Sequence, residues 1–252
     1  DVWNKMDERF LSFQLQRSPS EKMKIRITSG SNEKFHRDGS TATVCLIVNN
    51  MAYIAFIGDS CPVCFLTKDK NITYGDVHNT GNMDEVKRVA AAGGKLKHQD
   101  STGAKGCFWR AAASKAPLRI SPGGLLVTRA FGDFHAKIPK YGGKPDVILH
   151  TYDKIHSVQI TEDTEQIILA SDGIWDAMSA SDMRATITKS VLFARADEKE
   201  DIYSTVVFRL IQDATDSPYW AANKTVADNT TVVLMHFHTR ASEKRFGSLL
   251  RA

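Results

Sequence analysis

The chain has 252 residues, of which 42% are hydrophobic and 25% charged, with a formal net charge of +4. That is long enough to bury a substantial core, and the composition is that of an ordinary globular domain. The positive charge is spread along the chain rather than gathered in a block, which argues against a nucleic-acid surface, and no apolar run approaches the roughly 18 residues that cross a bilayer.

The first residues, Asp1-Val2-Trp3-Asn4-Lys5-Met6, are neither a signal peptide nor an initiator. Residues 41–68 read as a hairpin. Thr41 to Val48 and Met51 to Ile57 are β-branched and apolar, and Asn49-Asn50 is a turn pair that tolerates positive φ. A helix is expected from about Asn82 through Ala92, with Gly93-Gly94 as its left-handed stop. Residues 97–118 show no clear period and read as a surface insertion. Short strands are expected at Leu125 to Thr128, near 145–150 and at 165–170. Ser179-Ala180-Ser181-Asp182 has the chemistry to open a helix to about Phe193. A second helix, from about Lys199 to Ala214, would present Tyr203, Val207, Leu210 and Ile211 on one face. A strand over 230–237 closes the pattern, and a polar tail follows from Thr239. Strands at both ends with helices between them favour two packed sheets flanked by helices over alternating βαβ units.

The four cysteines, Cys45, Cys61, Cys64 and Cys107, are too few for a disulfide framework. Cys61-Pro62-Val63-Cys64 lacks a second pair to complete a zinc site, and alternation along a strand would put its two thiols on opposite faces. They read as structural thiols in a reducing compartment, the cytosol or the nucleus.

Three aspartates carry the chemistry. Ile167-Ile168-Leu169-Ala170-Ser171-Asp172-Gly173 delivers Asp172 off an apolar run, Ile54-Ala55-Phe56-Ile57-Gly58-Asp59 delivers Asp59 off another, and Ala227-Asp228-Asn229 sets Asp228 just before a third. An aspartate followed by glycine after a strand is usually a turn residue. Three such strand-end carboxylates together instead suggest a site for hard cations bound by oxygen, Mg²⁺ or Mn²⁺, since no histidine has metal-site spacing. Asp176 reads as serving the helix that follows it, and Asp133 as a turn residue or one that supports the metal ligands from behind.

Taken in order, Asp38-Gly39-Ser40-Thr41-Ala42, Gly58-Asp59-Ser60, Glu85 and Arg88 with Gly93-Gly94, Leu125 to Asp133, Ser171 to Asp176, and Ala227-Asp228-Asn229 resemble the metal-dependent serine/threonine protein phosphatases of the type 2C family. The resemblance runs from about residue 38 to 237. It implies an α+β fold, a four-layer αββα sandwich of two antiparallel sheets flanked by helices. It also implies hydrolysis of phosphoserine and phosphothreonine in phosphoprotein substrates with two Mn²⁺ or Mg²⁺ ions. By motif match Asp172 and Asp228 would be metal ligands on which catalysis rests, and Asp59 would share a third, weaker metal position with Asp172.

The chain departs from the family's pattern in several places. The block Asp-Gly-His-Gly-Gly is absent, and with it an aspartate that bridges both metals; the family's upstream phosphate-binding arginine is absent too. Cys61 stands where an arginine commonly follows Gly-Asp-Ser, and Val77 where an aspartate usually precedes the histidine matched by His78. The expectation is therefore one catalytic domain over 1–238, without its first strands, and a polar tail over 239–252. It would be a monomer with no nucleic-acid or membrane partner. The competing expectation is a phosphatase-like module that binds partners without catalysis. A nuclease built on the same aspartates is disfavoured, because no basic stripe would track a phosphate backbone.

Overall fold

The fold comes from a computed structural model, which describes residues 2–16, 38–60, 63–98, 118–196, 201–223 and 226–237. Cys61, Cys107, most of the expected 97–118 insertion and the 239–252 tail lie outside the described residues. In chain order the elements begin with α1 (Val2–Gln16), β1 (Gly39–Ser40), β2 (Ala42–Val48), β3 (Met51–Ile57), β4 (Val63–Thr67) and β5 (Asn71–Tyr74). Next come α2 (Met83–Ala91), β6 (Lys95–His98), β7 (Leu118–Ser121), β8 (Phe131–Gly132), α3 (Phe134–Lys137) and a 3₁₀ turn (Pro139–Tyr141). The chain continues with β9 (His156–Gln159), β10 (Thr164–Ala170), α4 (Asp172–Trp175), α5 (Ala180–Ala196), α6 (Ile202–Thr215), α7 (Pro218–Ala222) and β11 (Val232–His236). They form two compact units, one of Asp1–Ala42 with Val77–Asp153 and the other of Thr43–Asp76 with Lys154–Ala252.

The second unit holds two antiparallel sheets, in strand orders β11-β10-β4-β5 and β2-β3-β9. The expected hairpin is β2 and β3, and its turn residue Asn49 takes φ 54°. β10 is buried along almost its whole length, both at its polar start, Thr164 to Gln166, and over the apolar run from Ile167 to Ala170. Ile168 and Ala170 pack with Cys64 and Leu66 under α5 and α6, meeting Met183, Ile187, Val206 and Leu210. The buried stripe of α6 is Val206, Leu210 and Ala214; of the expected face of Tyr203, Val207, Leu210 and Ile211 only Leu210 is fully buried, and Tyr203 is 41% exposed. The helix is turned so that its i, i+4 row of smaller side chains fits close against α5. Phe65 meets Tyr74, Tyr74 meets His156, and His156 stacks on Phe56, so an aromatic chain links the two sheets. Arg184 of α5 ties the β4–β5 turn to β10 by donating to Asn71, the Lys70 carbonyl and Glu165.

The first unit is built round α2. Asn82 caps it by accepting from the Asp84 and Glu85 amides. At its other end the Gly94 amide donates to Val89 and the Gly93 amide to Ala90, with Gly93 at φ 77°, the glycine-terminated stop expected from the sequence. Val89 packs with Ile120, Ala130, Ala136, Val147 and Ile148. The runs 125–128 and 145–150 are not strands: they make isolated bridges only, Asn79 to Val127, Ile120 to Leu125 and Arg129 to Leu149. Their apolar side chains are consumed by the core round α2, with Val147 and Ile148 buried, rather than by a ladder.

A buried ionic knot fastens these loops. Glu85 is 5% exposed and accepts from both guanidinium groups of Arg129 and Arg88, at 2.6 and 2.9 Å. Arg88 also donates to the Thr128 and Val147 carbonyls, so α2 is laced to both irregular runs, and Arg129 donates to the Thr151 carbonyl. Burial alone would raise the Glu85 carboxyl, but hydrogen bonds from Arg129, Arg88 and Thr128 reverse that and hold it at about 2. Helix α1, absent from the sequence expectations, docks through a single buried acid. Asp7 accepts from the Gly132 amide at 2.6 Å and from Lys137 at 3.1 Å, while Trp3 stacks on Phe131.

Candidate metal centre and family

The second unit brings together the three predicted aspartates. Asp59 follows β3, Asp172 opens α4 at the end of β10, and Asp228 precedes β11, the neighbour of β10. The β10–β11 ladder runs on past the strands themselves, as the Ser171 amide donates to the Thr231 carbonyl at 2.9 Å. Ser171 Oγ then donates to the Asn229 carbonyl and accepts the Thr231 amide, so the segments carrying Asp172 and Asp228 are stitched side by side. Thr43 of β2 ties the Asp59 loop by donating to the Ser60 carbonyl at 2.6 Å.

Gly173 is what allows this approach. A Cβ there would lie 2.6 Å from the Asn229 carbonyl oxygen, closer than real side chains come. Gly173→Ala is therefore expected to push α4 off the Asp228 segment and cost about 1–3 kcal/mol, as overpacking does, measured by urea denaturation. Full stability in that variant would mean that the stitch is slack.

Two of the aspartates have one oxygen committed locally. Asp172 Oδ1 accepts from the Gly173 amide at 2.9 Å, and Asp228 Oδ1 from the Asn229 amide at 2.7 Å. The carboxylates feel one another. Asp59 is pushed up to about 6, first by burial and then by the charge of Asp172, with smaller pushes from Asp176 and Asp228. Asp172 is raised by burial and by Asp228, partly offset by the Gly173 amide. Asp176 is raised by burial, Asp172 and Asp228. Asp176 is the member that sequence reading assigned elsewhere. Its signal was the Asp172–Asp176 spacing, which puts two acids one turn apart on a helix.

Repulsion among like charges is the ordinary sign of a site that takes a cation. Among the described residues, however, no three His, Cys, Asp or Glu groups converge closely enough to enclose one ion. Oxygen-only donors with few direct protein contacts suit Mg²⁺ or Mn²⁺, since Mg²⁺ keeps several of its waters. Oxygen donors of this kind could hold such an ion only as an open, partly hydrated site, and Asp59, Asp172 and Asp228 are the residues that could do so.

The other motif residues lie in the first unit. Asp133 is a turn residue at φ 49°, at the start of α3, with its amide on the Asp38 carbonyl. His78 is 1% exposed, stands 3.6 Å from Asp153, and is held down to about 4 by burial and by Arg129. It is a neutral core histidine above that value. Among the described residues no helix is long and apolar enough to cross a membrane.

Comparison with known proteins speaks to the family and the fold. Residues 3–216 match the family described as protein phosphatase 2C. Protein phosphatase 2C 57 of Arabidopsis thaliana is 33% identical over 185 residues, covering 63% of this chain and 42% of that protein. Mouse protein phosphatase 1G is 27% identical over 223 residues, covering 87% of this chain and 37% of its own length. Among solved structures, the serine-threonine phosphatase 2C of Toxoplasma gondii superposes with a TM-score of 0.62 at 17% identity, covering 94% of this chain and 65% of that one. A Caenorhabditis elegans sex-determining protein superposes at 0.58 and 19%, covering 97% and 53%. At those identities the structures speak for the fold, a mixed one of antiparallel sheets and helices. The chain spans about two fifths of the length of these curated relatives. On the match over residues 3–216, the chain belongs to the protein phosphatase 2C family.

Proposed function

We propose that this chain is the catalytic part of a metal-dependent serine/threonine protein phosphatase, with Asp59, Asp172 and Asp228 holding Mn²⁺ or Mg²⁺. The observation that carries the reading is the set of strand-end aspartates that feel one another's charge, stitched together by Ser171 and Gly173. Two such ions, when bound, supply a water of lowered pKa and a clamp on phosphoryl oxygens. The chain's part is to hold the donors. The amide bonds to Asp172 Oδ1 and Asp228 Oδ1 fix both carboxylates and leave Oδ2 of each as the donor. Asp176, one turn from Asp172, adds negative field without being needed as a ligand. Asp59 serves the third and weaker position.

The same reading has the protein act on phosphoproteins, as a monomer, in the cytosol or nucleus. Cys45 and Cys64 are free thiols, in keeping with a reducing compartment. The rival reading, a binding module without catalysis, draws on the lack of a three-group cluster among the described residues. The test is phosphate release from a phosphothreonine peptide by the full-length protein, with Mn²⁺ titrated against EDTA. Release that rises with Mn²⁺ and vanishes with EDTA is the expected result. A folded protein that binds the phosphopeptide and releases no phosphate would replace the enzyme with the binding module.

A further inference from the structure

Within the unit of Asp1–Ala42 and Val77–Asp153 lies a cavity of about 400 Å³ that the phosphatase reading does not use. Three separate segments enclose it: α1, the stretch from α3 to Ile138, and residues 145–150. Its volume falls in the range that holds a small organic molecule. The walls are apolar, with Leu11 on one side and Phe134, Ile138 and Ile148 on the others. Its deepest polar groups are Asp7 and Lys137, whose side chains are 8% and 9% exposed and which pair with each other at 3.1 Å.

The charges of the lining do not cancel. Lys137 is matched by Asp7. His150 also lines the cavity, 3.5 Å from Asp7 and 2.9 Å from Asn4 Oδ1; burial lowers its pKa, with Asp7 and Glu8 opposing and Lys137 adding to the fall. Two exposed carboxylates remain, Glu8 on α1 and Asp146 on the facing segment, and neither is in an ion pair among the described residues. An apolar chamber with two exposed carboxylates on its lining, neither ion-paired among the described residues, favours a molecule of one kind.

We infer that this cavity is a binding site for an amphiphilic organic cation, an amine whose apolar body packs against Leu11, Phe134 and Ile148 while its ammonium group lies between Glu8 and Asp146. Such a molecule touches all three segments at once, so it pins α1 to the rest of its unit. Within that unit α1 is otherwise held by Asp7, by Trp3 on Phe131, by Phe10 near Phe134, by the buried Gln14 donating to the Asp38 carbonyl and by Asn4 at His150. The consequence is a ligand-dependent clamp on α1. It stands whether or not the aspartate centre is catalytic.

The test titrates the protein with phenylbutylamine, phenylbutanol and phenylbutyrate, which share one apolar body and differ in head-group charge, followed by ligand-observed NMR and thermal melting. The amine is expected to bind tightest, by about tenfold over the carboxylate, a difference of roughly 1.4 kcal/mol. The exchange Glu8→Gln with Asp146→Asn should bring the amine and the alcohol within about twofold of each other, since rim charges act modestly. Leu11→Trp, which narrows the chamber at its apolar wall, should weaken binding of all three; circular dichroism shows whether each variant is folded. Equal binding of the three probes by the wild type, undiminished amine binding in a folded Leu11→Trp protein, or no binding of the amine at millimolar concentration would each overturn the inference.

Discussion

Asp172→Asn is expected to raise the melting temperature in EDTA and to lose most of the stabilisation that Mn²⁺ gives the wild type. The first effect follows from repulsion. Asp172 is pushed up by burial and by Asp228, and its charge in turn raises Asp59 and Asp176, so removing it relieves three partners while asparagine keeps an oxygen for the Gly173 amide. A relief of about 1 kcal/mol corresponds to roughly 2–4 °C in a chain of this size. The second effect follows from linkage: at a hundredfold excess over its dissociation constant, Mn²⁺ stabilises the wild type by about 2.7 kcal/mol, and a site without Asp172 gains little. Phosphate release should fall by more than about 100-fold in the same variant, since each 1.36 kcal/mol of lost metal assistance is a factor of ten. Differential scanning calorimetry in EDTA and in Mn²⁺ separates the cases. A variant less stable in both media would make Asp172 a structural residue.

The second large effect is structural. Glu85→Ala leaves Arg129 buried without its carboxylate partner, and removing one member of a buried pair costs about 3–5 kcal/mol. Chemical denaturation at neutral pH measures it. The pH dependence has a defined sign. Glu85 is held at about 2, below its unfolded value of 4.5, so its contribution is complete above pH 4.5 and drains away as the pH falls towards 2. The wild type should lose stability through that window more steeply than the variant does. Parallel curves would show that the knot of Glu85, Arg88 and Arg129 contributes no net stability beyond packing.

Local chemistry made some elements readable and tertiary demand hid others. The α2 helix was legible from Asn82 and Gly93 because both ends are closed by their own neighbours. The β2–β3 hairpin was legible because Asn49 accepts a positive φ and the flanking runs are β-branched. Helix α1 was not, since the group that docks it, Asp7, finds its partners at Gly132 and Lys137, far along the chain. Residues 125–128 and 145–150 look like strands from composition alone. They become bridged loops because the core round Val89 and the guanidinium group of Arg88 take their side chains and carbonyls.

The site divides the same way. Asp172 and Asp228 were legible as carboxylates at strand ends, and the structure shows why those ends meet: β10 and β11 are neighbours, and Ser171 extends their pairing by one more step. The role of Gly173 as a spacer against Asn229 could not be read, because it depends on a backbone oxygen more than fifty residues away. Asp176 looked like a residue of the following helix. It joins the cluster because the short α4 puts it one turn from Asp172.

The central claim is that the aspartates of the second unit bind a divalent cation. It is tested most directly by titrating Mn²⁺ into the wild type and into Asp172→Asn and Asp228→Asn, following free Mn²⁺ by electron paramagnetic resonance. The account predicts saturable binding by the wild type, displacement by Mg²⁺ and a loss of at least about tenfold in affinity for each variant, a difference of roughly 1.4 kcal/mol. Equal Mn²⁺ uptake by the wild type and both folded variants would contradict it.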